Sequence, residues 1–157
     1  MSAERPCGLY RTGVPLAGQE EAVPAGVLVY FHNHSEDGPP IVLPPETNSD
    51  NRWYFGEEGW LIQDETFLEA LVPLRPEGLY VVTESLALAP DNRLGPRTLL
   101  QLGYNRRGDP IVFIAQFEGN TILFPARGFR FHNLDVFERI EPANFAVPER
   151  AEPRVLH

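Results

Sequence analysis

The chain predicts an all-β protein made of two tandem small barrels packed together, each with one short helical turn. Three observations predict it. The sequence repeats itself at a shift of about 70 residues. Its apolar residues come in strand-length stretches. Sixteen prolines and thirteen glycines are spread along 157 residues, which suits short strands and tight turns better than long helices.

The repeat sets Gly8-Leu9-Tyr10 on Gly78-Leu79-Tyr80 and Leu16-Ala17 on Leu86-Ala87. It also sets Gly38-Pro39-Pro40-Ile41-Val42 on Gly108-Asp109-Pro110-Ile111-Val112. After a one-residue deletion Asn51 falls on Asn120, Gly59-Trp60 on Gly128-Phe129 and Glu69 on Glu138. Turn formers and apolar strand residues repeat, whereas residues suited to chemistry do not. The map that follows is an arm over 1–7, a first unit over 8–72, a linker over 73–77, a second unit over 78–142 and a tail over 143–157. Units of that size bury a small share of their surface alone, so they are expected to share an interface.

In order, Gly8 to Thr12 reads as a first strand, followed by a loop bearing Gln19-Glu20-Glu21. Val27 to His34 is β-branched and aromatic, a second strand. Ser35-Glu36-Asp37-Gly38 is a hairpin turn signal, and Ile41-Val42-Leu43 returns. Pro44 to Asn51 reads as a polar loop. Arg52 to Phe55 and Trp60 to Gln63 pair around Gly56-Glu57-Glu58-Gly59, and Asp64-Glu65-Thr66 can cap a helical turn. The second unit runs the same course, with strands at Leu79 to Val82, Thr98 to Tyr104, Ile111 to Gln116, Thr121 to Phe124, Gly128 to Phe131 and Val136 to Ile140. The shift of 70 sets Leu28, Tyr30, His32 and His34 on Thr98, Leu100, Leu102 and Tyr104. Val27, Val29 and Phe31 then form a second apolar face, which is expected to meet the other unit or to form the partner surface.

All 13 positive residues are arginines, set against 22 acids, for a net charge of −9. The imbalance is local. Residues 8–77 hold twelve acids and three arginines, whereas residues 78–146 hold seven of each. Such a field favours a basic partner and repels a phosphate backbone. The single Cys7 excludes an internal disulfide. The start, Met1 to Pro6, lacks the apolar core of a signal peptide, and no run approaches membrane-spanning length, so a cytoplasmic protein without membrane contact is expected.

His32 and His34, at i and i+2 on a strand, point the same way. The repeat puts Leu102 and Tyr104 there, which implies packing, and no third ligand is evident; no metal and no cofactor is expected. Arg107-Gly108-Asp109 occupies a hairpin turn. The acid pairs Glu57-Glu58 and Asp64-Glu65 have no base or nucleophile beside them, so no catalytic residue is assigned and no enzyme is expected. Trp53, Tyr54 and Trp60 are more informative, because the second unit carries smaller Ile122, Leu123 and Phe129 there. Aromatics ringed by Glu20, Glu21, Glu57, Glu58, Asp64 and Glu65 suit a basic protein or peptide.

The order of each unit is a short strand opening with Leu-Tyr, a long loop, two hairpins, a helical turn and a final strand. It resembles an SH3-like barrel, twice, over roughly residues 8–142. Gly8-Leu9-Tyr10-Arg11 and Gly78-Leu79-Tyr80-Val81 resemble the Ala-Leu-Tyr-Asp-Tyr opening of SH3 domains. Glu20-Glu21 then holds the place of the acidic specificity loop, and Asp64 to Phe67 that of the helical turn. The chain lacks the Trp-Trp pair and the Pro-x-x-Tyr of the polyproline groove, so the resemblance implies a fold and not that ligand. The expected function is a non-enzymatic interaction module, an adaptor, inhibitor, immunity or regulatory protein holding a basic partner on its acidic first unit. The alternative is a nucleic-acid-associated protein using Arg93, Arg97, Arg106, Arg107, Arg127 and Arg130.

Overall fold

The computed structural model describes residues 5–33 and 38–143 and is all-β. Strands β1 (Gly8–Arg11), β2 (Leu28–His32), β3 (Ile41–Leu43), β4 (Pro45–Ser49), β5 (Arg52–Phe55) and β6 (Trp60–Leu61) precede helix α1 (Glu65–Glu69) and strand β7 (Val72–Pro73). Then come β8 (Gly78–Val82), β9 (Leu86–Ala89), β10 (Asn92–Leu94), β11 (Leu99–Tyr104), β12 (Pro110–Ile114), β13 (Gln116–Glu118), β14 (Thr121–Leu123) and β15 (Phe129–Arg130). A 3-10 turn over Asp135–Arg139 leads into β16 (Ile140–Pro142). One five-stranded antiparallel sheet has the order β6-β3-β2-β1-β7 and the other β15-β12-β11-β8-β16, which is the same path through the chain. The hairpins β4–β5 and β13–β14 also correspond.

Repeated residues explain the repeated path. Tyr10 Oη donates to Pro6 O at 2.8 Å, and Tyr80 Oη to Pro76 O at the same distance, each fixing the entry to its first strand. A Cβ on Gly59 would lie 2.0 Å from Val42 O, and one on Gly128 2.6 Å from Val112 O. Only glycine lets β6 and β15 close that tightly on β3 and β12.

Several elements differ from expectation. The segment 44–51, expected as a loop, holds strand β4 over Pro45–Ser49, which pairs with β5 through a turn at Asp50 and Asn51, whose φ values are 55° and 66°. Short Asx side chains tolerate that left-handed geometry, so the tight hairpin forms without glycine. Hairpin β9–β10 is an addition to the second half, standing where the first half has its long loop. Val136 to Ile140 is mostly the 3-10 turn. The arm is tied down from residue 5, with Arg5 Nη2 donating to Glu69 O at 3.2 Å. The linker is structural too: Pro73 pairs with Tyr10, and Leu74 is buried.

The registers show why the expected inter-unit face is wrong. Tyr10 pairs with Val29, whereas Tyr80 pairs with Leu100, so β2 and β11 correspond at a shift of 71 and not 70. A one-residue slip exchanges the two faces of a strand. Val29 and Phe31, each 3% exposed, therefore fill the first half's own core with Tyr10, Val42, Ile62 and Phe67; Val27 is half-buried at the edge of that core. The opposite face, Leu28 with Tyr30, meets the second half. Leu9, Leu28 and Leu74 join Tyr80, Leu100, Leu102, Tyr104 and Val112 in one core spanning both halves.

Polar contacts close the same junction. Leu28 N donates to Arg106 O at 2.8 Å. Arg11 Nη2 reaches Asp109 Oδ1 at 2.9 Å, and Arg11 Nε donates to Arg107 O at 3.0 Å. Arg107-Gly108-Asp109 is thus an internal docking turn, held by Asn105 Oδ1, which accepts from Arg107 N and Asp109 N at 2.9 Å. The Tyr104 hydroxyl donates to Arg75 O at 2.6 Å, and burial raises its pKa.

Candidate partner-binding cleft

Two segments of the acidic half converge on Trp60. The long loop is anchored at both ends: Thr12, 1% exposed, takes Val27 N on its hydroxyl oxygen at 3.0 Å and donates to Pro24 O at 2.8 Å. Within it Leu16 N donates to Val23 O at 2.9 Å, burying both side chains. This staple leaves Glu20 and Glu21 exposed at the tip. Glu20 Oε2 accepts from Gly18 N at 3.1 Å, and backbone N–H donors hold that carboxyl below its ordinary pKa. Glu57 and Glu58, also exposed, form the turn that delivers Trp60.

Ala22 and Val23, next in the chain to Glu21, line a cleft of about 160 Å³ together with Trp60, Pro44, Pro45 and Val27. Its lining is mostly apolar and includes Arg106; the exposed Glu20-Glu21 directly precede Ala22 in the chain and the exposed Glu57-Glu58 precede Trp60 by two residues, without lining the cleft themselves. Arg106 reaches the far wall, where Nη1 donates to Pro45 O at 3.2 Å. Pro44 and Pro45 carry no signal of this role in the sequence beyond breaking a strand.

The other expected partner residues lie elsewhere. Trp53 is spent inside the molecule: its Nε1 donates to Tyr104 O at 2.7 Å, its backbone N to Glu77 Oε2 at 3.0 Å, and Arg106 lies 4.8 Å from its ring centroid. Large size at position 53 serves the contact between halves. Tyr54, on the opposite face of β5, is 54% exposed. Asp64 caps α1, its Oδ1 accepting from Thr66 N at 3.0 Å and Phe67 N at 3.3 Å. Glu65 instead lines a separate open groove with Glu69, Arg5 and Phe31.

Among the arginines of the second half, Arg93 Nε donates to Ser85 Oγ at 2.8 Å, Arg130 stands 3.9 Å from Asp109, and Arg106 is committed to Trp53. His32 is half-buried beside Cys7, with Sγ 3.6 Å from Nδ1; His34 lies outside the described residues. Among the described residues no three His, Cys, Asp or Glu side chains group to hold a metal, and no helix is long and apolar enough to cross a membrane. No protein-family model matches the chain, and no curated protein and no solved structure matches it significantly.

Proposed function

We propose that the chain is a non-enzymatic protein-interaction module, a tandem of two SH3-like units whose acidic first unit holds a basic partner. The observation that carries this is the mostly apolar cleft lined by Ala22, Val23 and Trp60, residues that follow the exposed Glu20-Glu21 and Glu57-Glu58 closely in the chain. An anchor side chain of the partner fills the slot while arginine or lysine neighbours meet the four carboxylates. The equal sheet orders and the paired Tyr10 and Tyr80 hydrogen bonds support the tandem reading. The Trp60 indole supplies contact energy and the carboxylates supply steering, which salt weakens.

The test is a pull-down from lysate at low salt with the full chain as bait. A basic protein is expected on the beads and is lost as salt rises to about 0.5 M, where screening shortens to a few Å. Glu20→Gln, Glu21→Gln, Glu57→Gln and Glu58→Gln combined are expected to abolish capture with the fold unchanged by far-UV circular dichroism. Capture that ignores both salt and these substitutions overturns the reading. A gel-shift with single-stranded RNA and DNA is expected to show no complex; a shift that Arg127→Ala and Arg130→Ala abolish would favour nucleic acid instead.

A further inference from the structure

Two equivalent leucines are covered unequally. Leu9 on β1 is 8% exposed, whereas Leu79 on β8 is 40% exposed. Leu9 belongs to the shared core together with Leu74, the residue that follows β7. Leu74 N donates to Leu9 O at 3.0 Å, and Ala143 N donates to Leu79 O at 2.9 Å, so Ala143 stands where Leu74 does.

Beside each leucine runs a groove built from corresponding residues. One, of about 520 Å³, is lined by Pro6, Gly8, Leu9, Tyr10 and Pro73; the other, of about 470 Å³, by Pro76, Gly78, Leu79, Tyr80 and Pro142. In the first half the chain beyond β7 supplies a further wall, because Leu74, Pro76 and Glu77 line that groove as well. The chain beyond β16 that corresponds to this wall continues from Ala143 as Asn144-Phe145-Ala146-Val147.

We infer that residues 144–147 dock in the second groove, with Phe145 over Leu79. Strand β16 sets the direction. Ile140 opposes Val82, Glu141 opposes Val81 and Pro142 opposes Tyr80, so Ala143 opposes Leu79. Opposed residues share a face, and alternation along an extended chain returns Phe145 and Val147 to it. An extended residue adds at most about 3.6 Å, which sets Phe145 roughly 7 Å beyond Ala143 and in diagonal reach of Leu79. The volumes are exchanged between the halves: Leu74 and Pro76 in one correspond to Ala143 and Phe145 in the other, so the bulk moves on by two residues. Tethering at Ala143 leaves little loop-closure cost, and covering a solvated leucine with an aromatic ring is favourable.

Nuclear Overhauser measurements on the isotopically labelled full chain test this. Cross-peaks between the Phe145 ring and the Leu79 methyls are expected. An isotope-filtered spectrum of mixed labelled and unlabelled copies is expected to lack them, since the contact lies within one molecule. Leu79→Ser and Phe145→Ser are each expected to lower the melting temperature by about 2–4 °C. The double variant is expected to lower it by no more than either single one, because both changes remove the same contact. Leu79 methyls without contact to the Phe145 ring overturn the inference, whether the groove is open or holds another copy or another protein. Single losses that add in the double variant overturn it as well.

Discussion

Glu77 is the residue whose chemistry the junction alters most. Its carboxylate accepts from Trp53 N at 3.0 and 3.3 Å yet lies in a largely desolvated place, which pushes its pKa up to about 7 against the pull of that N–H and of Arg52. In the unfolded chain it titrates near the ordinary carboxylate value. Between the two the native state holds a proton that the unfolded state has lost, so stability falls as pH rises through the native pKa. The contribution is complete below the unfolded value and gone above about pH 7. Glu77→Gln keeps an acceptor for Trp53 N and removes the charge. The variant is expected to match the parent at pH 4.5 and to exceed it at pH 8 by roughly 1 kcal/mol, discounted for the part of the group that solvent screens. That corresponds to about 2–4 °C in thermal melts. A difference independent of pH would show that Glu77 is charged in the native state throughout.

At the scale of elements, one turn of helix depends on its cap. Helix α1 has five residues, too few for cooperative stability, and Asp64 satisfies two of its free N–H groups. The corresponding 3-10 turn has no side-chain cap on Leu134; Asn133 accepts only from Asp135 N, at 2.9 Å. Asp64→Ala is expected to cost about 1 kcal/mol and Asn133→Ala less, measured by urea denaturation; equal costs would deny the cap its role. The strands of the two five-stranded sheets were largely legible in the sequence because Gly59, Gly128, Tyr10 and Tyr80 leave backbone geometry little choice, whereas β4 and the β9–β10 hairpin, short and mostly polar or turn-like, were not. Nor was register. The equivalent pairs His32 with Ile41 and Gly103 with Ile111 enclose eight and seven residues, and both faces of β2 are apolar, so hydrophobicity could not choose between shifts of 70 and 71. Trp53 misled for a related reason: a large aromatic beside glutamates looks the same in sequence whether it meets a partner or the other half of its own chain. The acidic turns and Trp60 were legible, but the Pro44-Pro45 wall that completes their cleft was not.

The whole molecule is held as one unit by a core that ignores the boundary drawn from the repeat. Leu28 stands on a strand of the first sheet, is fully buried, and packs among Leu100, Leu102 and Val112 of the second, while its N–H is bonded to Arg106 O. Separating the halves would expose Leu9, Leu28 and Leu74 and strand Arg11 from Asp109. Neither half then has a complete core, and a short chain has little stability to lose. Unfolding is therefore expected to be a single transition, with tryptophan fluorescence and far-UV circular dichroism superimposing in urea. The two tryptophans sharpen the comparison, because Trp53 reports on the boundary and Trp60 on the first half alone. Leu28→Ala should move that whole transition, destabilising by about 2–5 kcal/mol as buried leucine truncations do. If the halves were independent, the same substitution would instead split the curve, with the boundary signal melting before the bulk of the strand signal. Two resolved transitions in the parent protein would mean that the shared core contributes little to stability.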